Sequence, residues 1–261
     1  MTKMSNAPIF YALAQVRFNA VLALDQYLPT IQEGLRRAGF PDFERGSLTL
    51  LSFTPGAQPQ QATPQPHYNF FNQDRTAGFI IDQAMVLFQT TAYGTFGGFS
   101  DEFLKGAEIV HRACDLSYSD RVGIRYLDAV CPKEGESINQ YLVDGVRGIY
   151  DLLAPRSLVH SYYEARTKSG STTLVSRAVI INQESAGPVQ FPSDLTAPNM
   201  TLGERFRELR GLYGLIDTDS WLEEREQFDI AGLGRRLTAL HSDLRRSFNL
   251  MVTPFALESW Q

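Results

Sequence analysis

The distribution of apolar and polar residues along the chain predicts a duplicated unit of strands and helices. Two runs of strand type, residues 14–21 and 122–130, each combine β-branched and aromatic residues around one central arginine. These arginines are Arg17 and Arg125, which are 125 − 17 = 108 positions apart. Because an amphipathic helical pattern follows each run, we expect two related α+β units.

Each half of the chain is predicted to contain, in order, a strand, a helix, three strands and a helix. Short apolar or alternating runs predict strands at residues 9–19, 47–53, 67–72, 77–93 with a break near Gln83, 118–130, 158–167, 172–182 and 211–218. Apolar residues at helical spacing predict helices at residues 25–38, 100–114, 137–153 and 229–248. Many strands interrupted by few helices favour an antiparallel α+β sheet packed by helices.

The predicted units are residues 1–116 and 117–261, and we expect them to share one continuous core. The order of elements is similar to that of the saddle-shaped TATA-binding and helix-grip folds, in two copies. If a pseudo-twofold axis relates the halves, their first strands lie side by side at the centre of the sheet. Two Pro-containing segments are predicted to be loops: residues 54–66, and residues 183–202 with a short edge strand at 189–191.

Composition indicates an ordinary globular protein, with 43% hydrophobic and 20% charged residues. The net charge of −5 argues against non-specific nucleic-acid binding, which depends on neutralising phosphates. Two cysteines, Cys114 and Cys131, are too few for a disulfide scaffold and lack the spacing of a metal site. With no signal peptide and no apolar run of membrane length visible, we expect a cytoplasmic protein without a cofactor.

Arg17 and Arg125 are the main candidate binding residues. If the first strands are neighbours, both guanidiniums project from one sheet face, where they could clamp a carboxylate or phosphate. Alternatively, each arginine pairs internally with Asp128, Glu164 or another acidic residue and ties strands together.

A second candidate is a polar row on one predicted strand. His160, Tyr162, Glu164 and Arg166 share one face because strand residues alternate with period two. The row could supply an acid, a base and a hydrogen-bond donor, or it could be the solvated face of an antiparallel sheet.

Other catalytic and ligand-binding patterns are weak. The glycine-rich residues 94–98 follow a strand and precede a helix but lack the lysine of a phosphate-binding loop. No Gly-x-Ser-x-Gly motif is present. An aromatic cluster between residues 70 and 103 is typical of a core, although part of it could line a pocket between sheet and helix.

Four segments in combination resemble a family of functionally uncharacterised, sporadically distributed bacterial proteins of similar length. The segments are PIFYALAQVRF at residues 8–18, AGFPDF at 38–43, TTAYGTF at 90–96 and RVGIRYLD at 121–128. The resemblance implies no activity and no site residues. A patchy distribution is typical of mobile or defence-associated genes.

We therefore expect a non-enzymatic, cytoplasmic interaction protein of a bacterial accessory system, such as a defence system, that binds a protein partner through the sheet face. One alternative is a carrier of a small apolar or anionic ligand in an aromatic-lined cavity, and another is a hydrolase with a His160/Glu164 pair. We further expect a homodimer and neither membrane nor nucleic-acid binding. The candidate binding residues are Arg17, Arg125, Asp128, His160, Tyr162 and Glu164.

Overall fold

The chain folds as one large antiparallel sheet with helices packed on it. The computed structural model describes residues 6–48, 65–149, 157–195 and 199–261. The strands in this part of the chain are β1 (Ile9–Phe18), β2 (Asp42–Leu48), β3 (Gln65–Phe71), β4 (Ala77–Asp82), β5 (Met85–Thr90), β6 (Tyr118–Val130), β7 (His160–Ser169), β8 (Thr172–Gly187) and β9 (Leu209–Gln227). They are ordered β2-β3-β4-β5-β1-β6-β9-β8-β7 across the sheet. The predicted α+β class is confirmed.

The first strands of the two predicted units are neighbours at the centre of the sheet. β1 pairs antiparallel with β6, and Gln15 lies opposite Gly123. The expectation that these two strands meet is therefore confirmed. In this register Arg17 lies opposite Arg121, whereas Arg125 lies opposite Leu13.

Three long helices cover one face of the sheet: α1 (Leu24–Arg37), α2 (Phe96–Cys114) and α5 (Ile230–Met251). The Thr95 side chain caps α2 by accepting from the Gly98 N–H, and the Asp229 carboxylate caps α5 by accepting from the Ala231 and Gly232 N–H groups. The largest core cluster lies beneath the three helices and draws residues from both halves, including Val16, Phe103, Ile124 and Leu237.

The helix predicted at residues 137–153 is wrong as a single element. Two short helices, α3 (Ile138–Tyr141) and α4 (Asp144–Arg147), occupy its first half. They are separate because Leu142 forms a β-bridge with Val252 and the Val143 N–H donates to the Met251 carbonyl over 3.0 Å. Residues 150–153 of the prediction lie outside the described residues.

The last helix is α6 (Pro254–Ser259), and Trp260 packs back onto a second, smaller core, as expected.

The boundaries of two strands differ from the prediction. β2 begins at Asp42, not at residue 47, and β9 continues through Gln227 because its charged end still pairs with β6. Residues 49–53 of the predicted strand and 54–64 of the predicted loop lie outside the described residues.

The opposite face of the sheet is covered over only part of its area. Residues 188–195 and 199–208 pack across one end of it, where Val189, Phe191 and Phe206 contact strand residues such as Phe10. The predicted edge strand at 189–191 is not a strand; instead, the Val189 N–H bonds to the Phe206 carbonyl over 2.9 Å. This face also carries the candidate site residues except Asp128. Among the described helices, none combines the length and apolar character needed to cross a bilayer.

Candidate functional site

Arg125 is the centre of a buried ion-pair cluster on the partly covered face. Its Nε donates to Asp217 Oδ1 over 2.8 Å and its Nη2 to Asp217 Oδ2 over 2.7 Å. The same Nη2 also donates to Asp194 Oδ1 over 2.9 Å. The side chains of Arg125 and Asp217 are 7% and 1% exposed, so the bidentate pair is almost fully desolvated.

Arg177 extends the cluster towards the edge of the sheet. Its Nη1 donates to Asp217 Oδ2 over 2.9 Å, and its Nε donates to Glu164 Oε2 over 2.5 Å. Burial opposes the charged form of Arg177, but the hydrogen bonds that it donates to Glu164 and Asp217 raise its pKa overall. Bonds from Arg125 likewise outweigh burial and lower the pKa of Asp194.

The Nε and Nη2 donors of Arg125 are directed at Asp217 and Asp194, and its side chain is only 7% exposed, so little of the guanidinium is open to a ligand. The alternative in which Arg125 pairs internally with an acidic residue is confirmed. Its partners are neither Asp128 nor Glu164. The cluster instead joins β6, β9, β8 and β7 to the covering segment that contains Asp194.

Arg17 does not join this cluster, so the expected two-arginine clamp is wrong in its geometry. Arg17 and Arg125 share a face, but the register separates them by four positions along the strands, or about 13 Å at 3.3 Å per residue. Arg17 is half-exposed and has an ion pair with Asp120 at 3.9 Å.

Asp128 lies on the opposite face from Arg125, because strand side chains alternate and its neighbours Tyr126 and Val130 face the helices. It therefore cannot be a partner of Arg125. Burial raises the pKa of Asp128 to about 8, and the nearby negative charge of Asp217 adds to the shift. Its carboxyl group is accordingly protonated for the most part at neutral pH.

A tyrosine–histidine contact joins β6 to α5 on the helix face. The Tyr126 hydroxyl and His241 Nδ1 are 3.0 Å apart, and the Phe96 ring stacks on His241 with centroids 4.0 Å apart. Burial, with a contribution from the charge of Arg245, lowers the pKa of His241 to about 4. The imidazole is therefore neutral at physiological pH and acts here as a packing group.

The polar row of β7 lies on one face, as the alternation predicts, but it does not form a catalytic pair. The Tyr162 hydroxyl donates to Glu164 Oε2 over 2.6 Å, and Arg177 occupies the same oxygen. His160 and Glu164 are four positions apart on one strand, or about 13 Å. The geometry does not bring them within hydrogen-bond distance of each other.

An arginine–tryptophan stack occupies the uncovered part of the same face, and the sequence analysis did not identify it. The guanidinium carbon of Arg121 lies 4.9 Å from the Trp221 ring centroid, and that of Arg166 lies 5.2 Å from it. Within the described residues, no carboxylate lies within 4 Å of either guanidinium, and the buried Nε of Arg121 has no hydrogen-bond partner. We call Arg121, Arg166 and Trp221 the Trp221 surface.

A shallow depression of about 310 Å³ borders the Trp221 surface. It is lined by Arg17, Asp120, Arg121 and residues 223–225. Across this part of the sheet, Arg121 lies opposite Glu223 and Trp221 lies opposite Thr173.

The sequence of β9 contains a signal for both the Arg125 ion-pair cluster and the Trp221 surface. Asp217, Asp219 and Trp221 alternate with Thr218 and Ser220, so two acids and one tryptophan share a face of an otherwise apolar strand. Asp219 is half-buried beside this cluster, and desolvation raises its pKa to about 6 despite the opposing charge of Arg125. Period-two alternation in β9 predicts that these three residues share one face, and the register with β6 places that face on the side of Arg125.

The aromatic cluster is packed as a core. Phe79 lies 4.8 Å from Phe40 and 4.8 Å from Phe88 between ring centroids, and Phe88 lies 5.5 Å from Phe99. These rings contact one another and do not line an aromatic cavity at this place. In the described part of the chain, no group of three His, Cys, Asp or Glu residues is arranged to hold a metal ion.

Comparison with known proteins gives no family assignment. No family model matches the chain, and no curated protein is significantly similar to it.

Proposed function

We propose that this protein is a non-enzymatic interaction protein that binds an acidic segment of a protein partner through the Trp221 surface. The observation that carries the proposal is the pair of guanidiniums stacked on one indole without a carboxylate partner in the described residues. The acidic character of the expected partner follows from what such a pair of guanidiniums can bind.

Stacking on an indole fixes the plane of a guanidinium and leaves its N–H edge free. A planar edge with two parallel donors fits a carboxylate in bidentate fashion. Because Arg121 and Arg166 flank the same ring, two acidic side chains of one segment can bind at once. Tryptophan and arginine are also the residue types that most often dominate protein–protein binding energy.

Arg125 differs from Arg121 and Arg166 in a way that makes only the latter two suitable for binding a partner. Its donors bind Asp217 and Asp194 and its side chain is buried, so it serves the fold. Arg166, by comparison, is exposed on the outermost strand, and Arg121 is partly exposed at the depression. A ligand carboxylate can reach these two guanidiniums without breaking an internal ion pair.

Photo-crosslinking in the native bacterial host tests the proposal. A photoreactive amino acid at exposed Glu223, which lies opposite Arg121 and lines the depression beside the Trp221 surface, is expected to capture one defined protein. The double variant Arg121→Ala with Arg166→Ala should lower that capture at least tenfold. The matched control is Arg36→Ala with Arg37→Ala, which removes two exposed arginines of α1 and should leave capture unchanged.

Two results would overturn the proposal. One is capture of no protein at this position while the chain is folded and expressed. The other is equal capture by the wild type and the Arg121/Arg166 variant.

We further infer that the two halves of the chain arose by duplication. Going outwards from the centre, the strands run β1-β5-β4-β3-β2 in one half and β6-β9-β8-β7 in the other, so the orders match except for the additional edge strand β2. Gln15 and Gly123, which are paired across the centre, are separated by the same 108 positions as Arg17 and Arg125. A pseudo-twofold axis between Gln15 and Gly123 accounts for both observations.

The biological setting that we propose is a cytoplasmic accessory system of bacteria, with defence as one such system. The sequence resemblance to sporadically distributed bacterial proteins supports this setting. The Trp221 surface is consistent with it, because accessory factors act by binding other proteins.

A small-ligand carrier is the second candidate, and a groove beside α5 favours it. The groove has a volume of about 480 Å³ and is lined on its apolar side by Val146, Leu174, Leu250 and Met251. Native mass spectrometry of the protein from its host would detect a retained ligand. Substitution of Leu174 by Gln should release such a ligand if the groove holds it.

A further inference from the structure

The sheet ends at β7, which has a free backbone edge in the described part of the chain. Its pairing with β8 has no register shift, and the strand contains no proline. Edge strands of native proteins are normally blunted by bulges, proline, shortness or charged side chains, and of these devices β7 has only the charged side chains. A regular strand of ten residues is therefore a surface suited to strand addition.

The outward-facing backbone groups of β7 can be identified from the hairpin. The Asn182 N–H donates to the Val159 carbonyl over 3.0 Å, so the pair 159/182 is a hydrogen-bonded pair. In an antiparallel ladder such pairs recur every second residue, so Tyr163 and Ala165 also bond to β8. Tyr162, Glu164, Arg166 and Lys168 consequently point their N–H and C=O groups outwards.

We propose that a second copy of this chain pairs with β7 across a twofold axis at Ala165, which extends the sheet through both molecules. In this register Glu164 of each copy lies opposite Arg166 of the other. Tyr162 likewise lies opposite Lys168. Every outward-facing residue from Tyr162 to Lys168 then belongs to a hydrogen-bonded pair, as an antiparallel ladder requires.

Charge selects this register over its neighbours. An axis at Glu164 would set the two Glu164 side chains opposite each other, and an axis at Arg166 would do the same for two arginines. Like charges directly opposite each other destabilise a strand pair, whereas opposite charges stabilise it. The axis at Ala165 gives two Glu164–Arg166 pairs and no like-charge pair.

Apolar surface beside β7 fits the same interface. Ala165, Thr167 and Ser169 line the groove that also contains Leu250, which is 69% exposed. The proposed register places Ser169 opposite Ser161 of the second copy, and Ser161 contacts the end of α4 through the Arg147 carbonyl. Ile149, which follows α4 closely in sequence, is 65% exposed.

Sedimentation and disulfide trapping of the purified protein test the proposal. The wild type should sediment at twice the 29.3 kDa mass of one chain. Ala165→Cys should form an intermolecular disulfide under mild oxidation, because residues at the axis form a close, non-hydrogen-bonded pair. Thr167→Cys is the matched control, since its two copies would lie about 13 Å apart along the strands.

Charge reversal tests the register independently. Glu164→Arg and Arg166→Glu should each weaken dimerisation at least tenfold, and the double variant should restore it. A monomer at 100 µM, roughly the highest concentration of practical use, would overturn the proposal. So would equal cross-linking at positions 165 and 167, or a double variant no better than either single variant. The Ala165→Cys test uses the isolated protein and changes neither Arg121 nor Arg166, so its outcome is distinguishable from that of the Trp221-surface proposal, which shares Arg166 with the dimer interface.

Discussion

At the scale of single residues, the two arginines that are alike in sequence have different physical roles. Arg125 is surrounded by strands and a covering segment, so its charge is desolvated and must be neutralised by Asp217 and Asp194. Arg17 lies near the end of β1, where solvent already screens its charge. Similar sequence context has therefore produced one structural ion pair and one surface charge.

Replacing the two arginines separately should reveal this difference. Arg125→Ala leaves the buried carboxylate of Asp217 without its bidentate partner and should lower the free energy of unfolding by about 3–5 kcal/mol. Arg17→Ala removes a long, half-exposed contact and should cost less than about 1 kcal/mol. Urea denaturation of both variants measures the difference. Similar losses in the two would contradict the assignment.

At the scale of elements, helix positions depend on residues whose importance the sequence pattern does not reveal. The spacing of apolar residues predicts α2, but the approach of α2 to β4 depends on Gly106. A Cβ on Gly106 would overlap the Phe79 ring, which is itself fixed between Phe40 and Phe88. Conversely, the apolar pattern after Ser137 suggested one helix, and the pairing of Leu142 with Val252 divided it.

Alanine substitutions in α2 should distinguish packing from helix propensity. Gly106→Ala is expected to lower stability by about 1–3 kcal/mol because the core must shift to admit the methyl group. Gly97→Ala is the matched control in the same helix, since no atom lies within 4 Å of the added Cβ. Its stability should be unchanged or rise by up to about 1 kcal/mol. Thermal melts that rank the two variants in the opposite order would contradict this account.

At the scale of the whole molecule, the two halves are joined by the β1–β6 pairing and by a core to which both contribute. Packing of the two halves against each other also desolvates acidic groups on different strands. Asp128 and Asp219 both have a raised pKa in the folded protein, at about 8 and about 6. Folding therefore favours their protonated forms, which links global stability to pH.

Stability should accordingly depend on pH through Asp128. A raised folded-state pKa gives a contribution that is complete below the unfolded-state value of 3.8 and is lost as pH rises to about 8. Compared with the wild type, Asp128→Asn should gain stability progressively between pH 4 and pH 8, by up to about 1.4 kcal/mol per pH unit. Asp74→Asn, at an exposed position, is the control and should parallel the wild type. Parallel curves for Asp128→Asn in urea titrations would contradict the assignment.

The sequence by itself determined the fold class, most strands, three long helices and the face on which Arg17, Arg125 and the β7 row lie. Periodicity is sufficient for this because it records which side of an element avoids water. It also placed one arginine, Arg17 or Arg125, in each of the two similar strand runs.

Only the tertiary structure decided which side chains meet. Register across β1, β6 and β9 separated Arg17 from Arg125, matched Arg125 with Asp217 and placed Trp221 between Arg121 and Arg166. Asp194 reaches Arg125 from a loop 69 positions away in sequence. Such contacts depend on strand order, register and chain path, which arise from packing of the whole molecule and are not encoded in any local pattern.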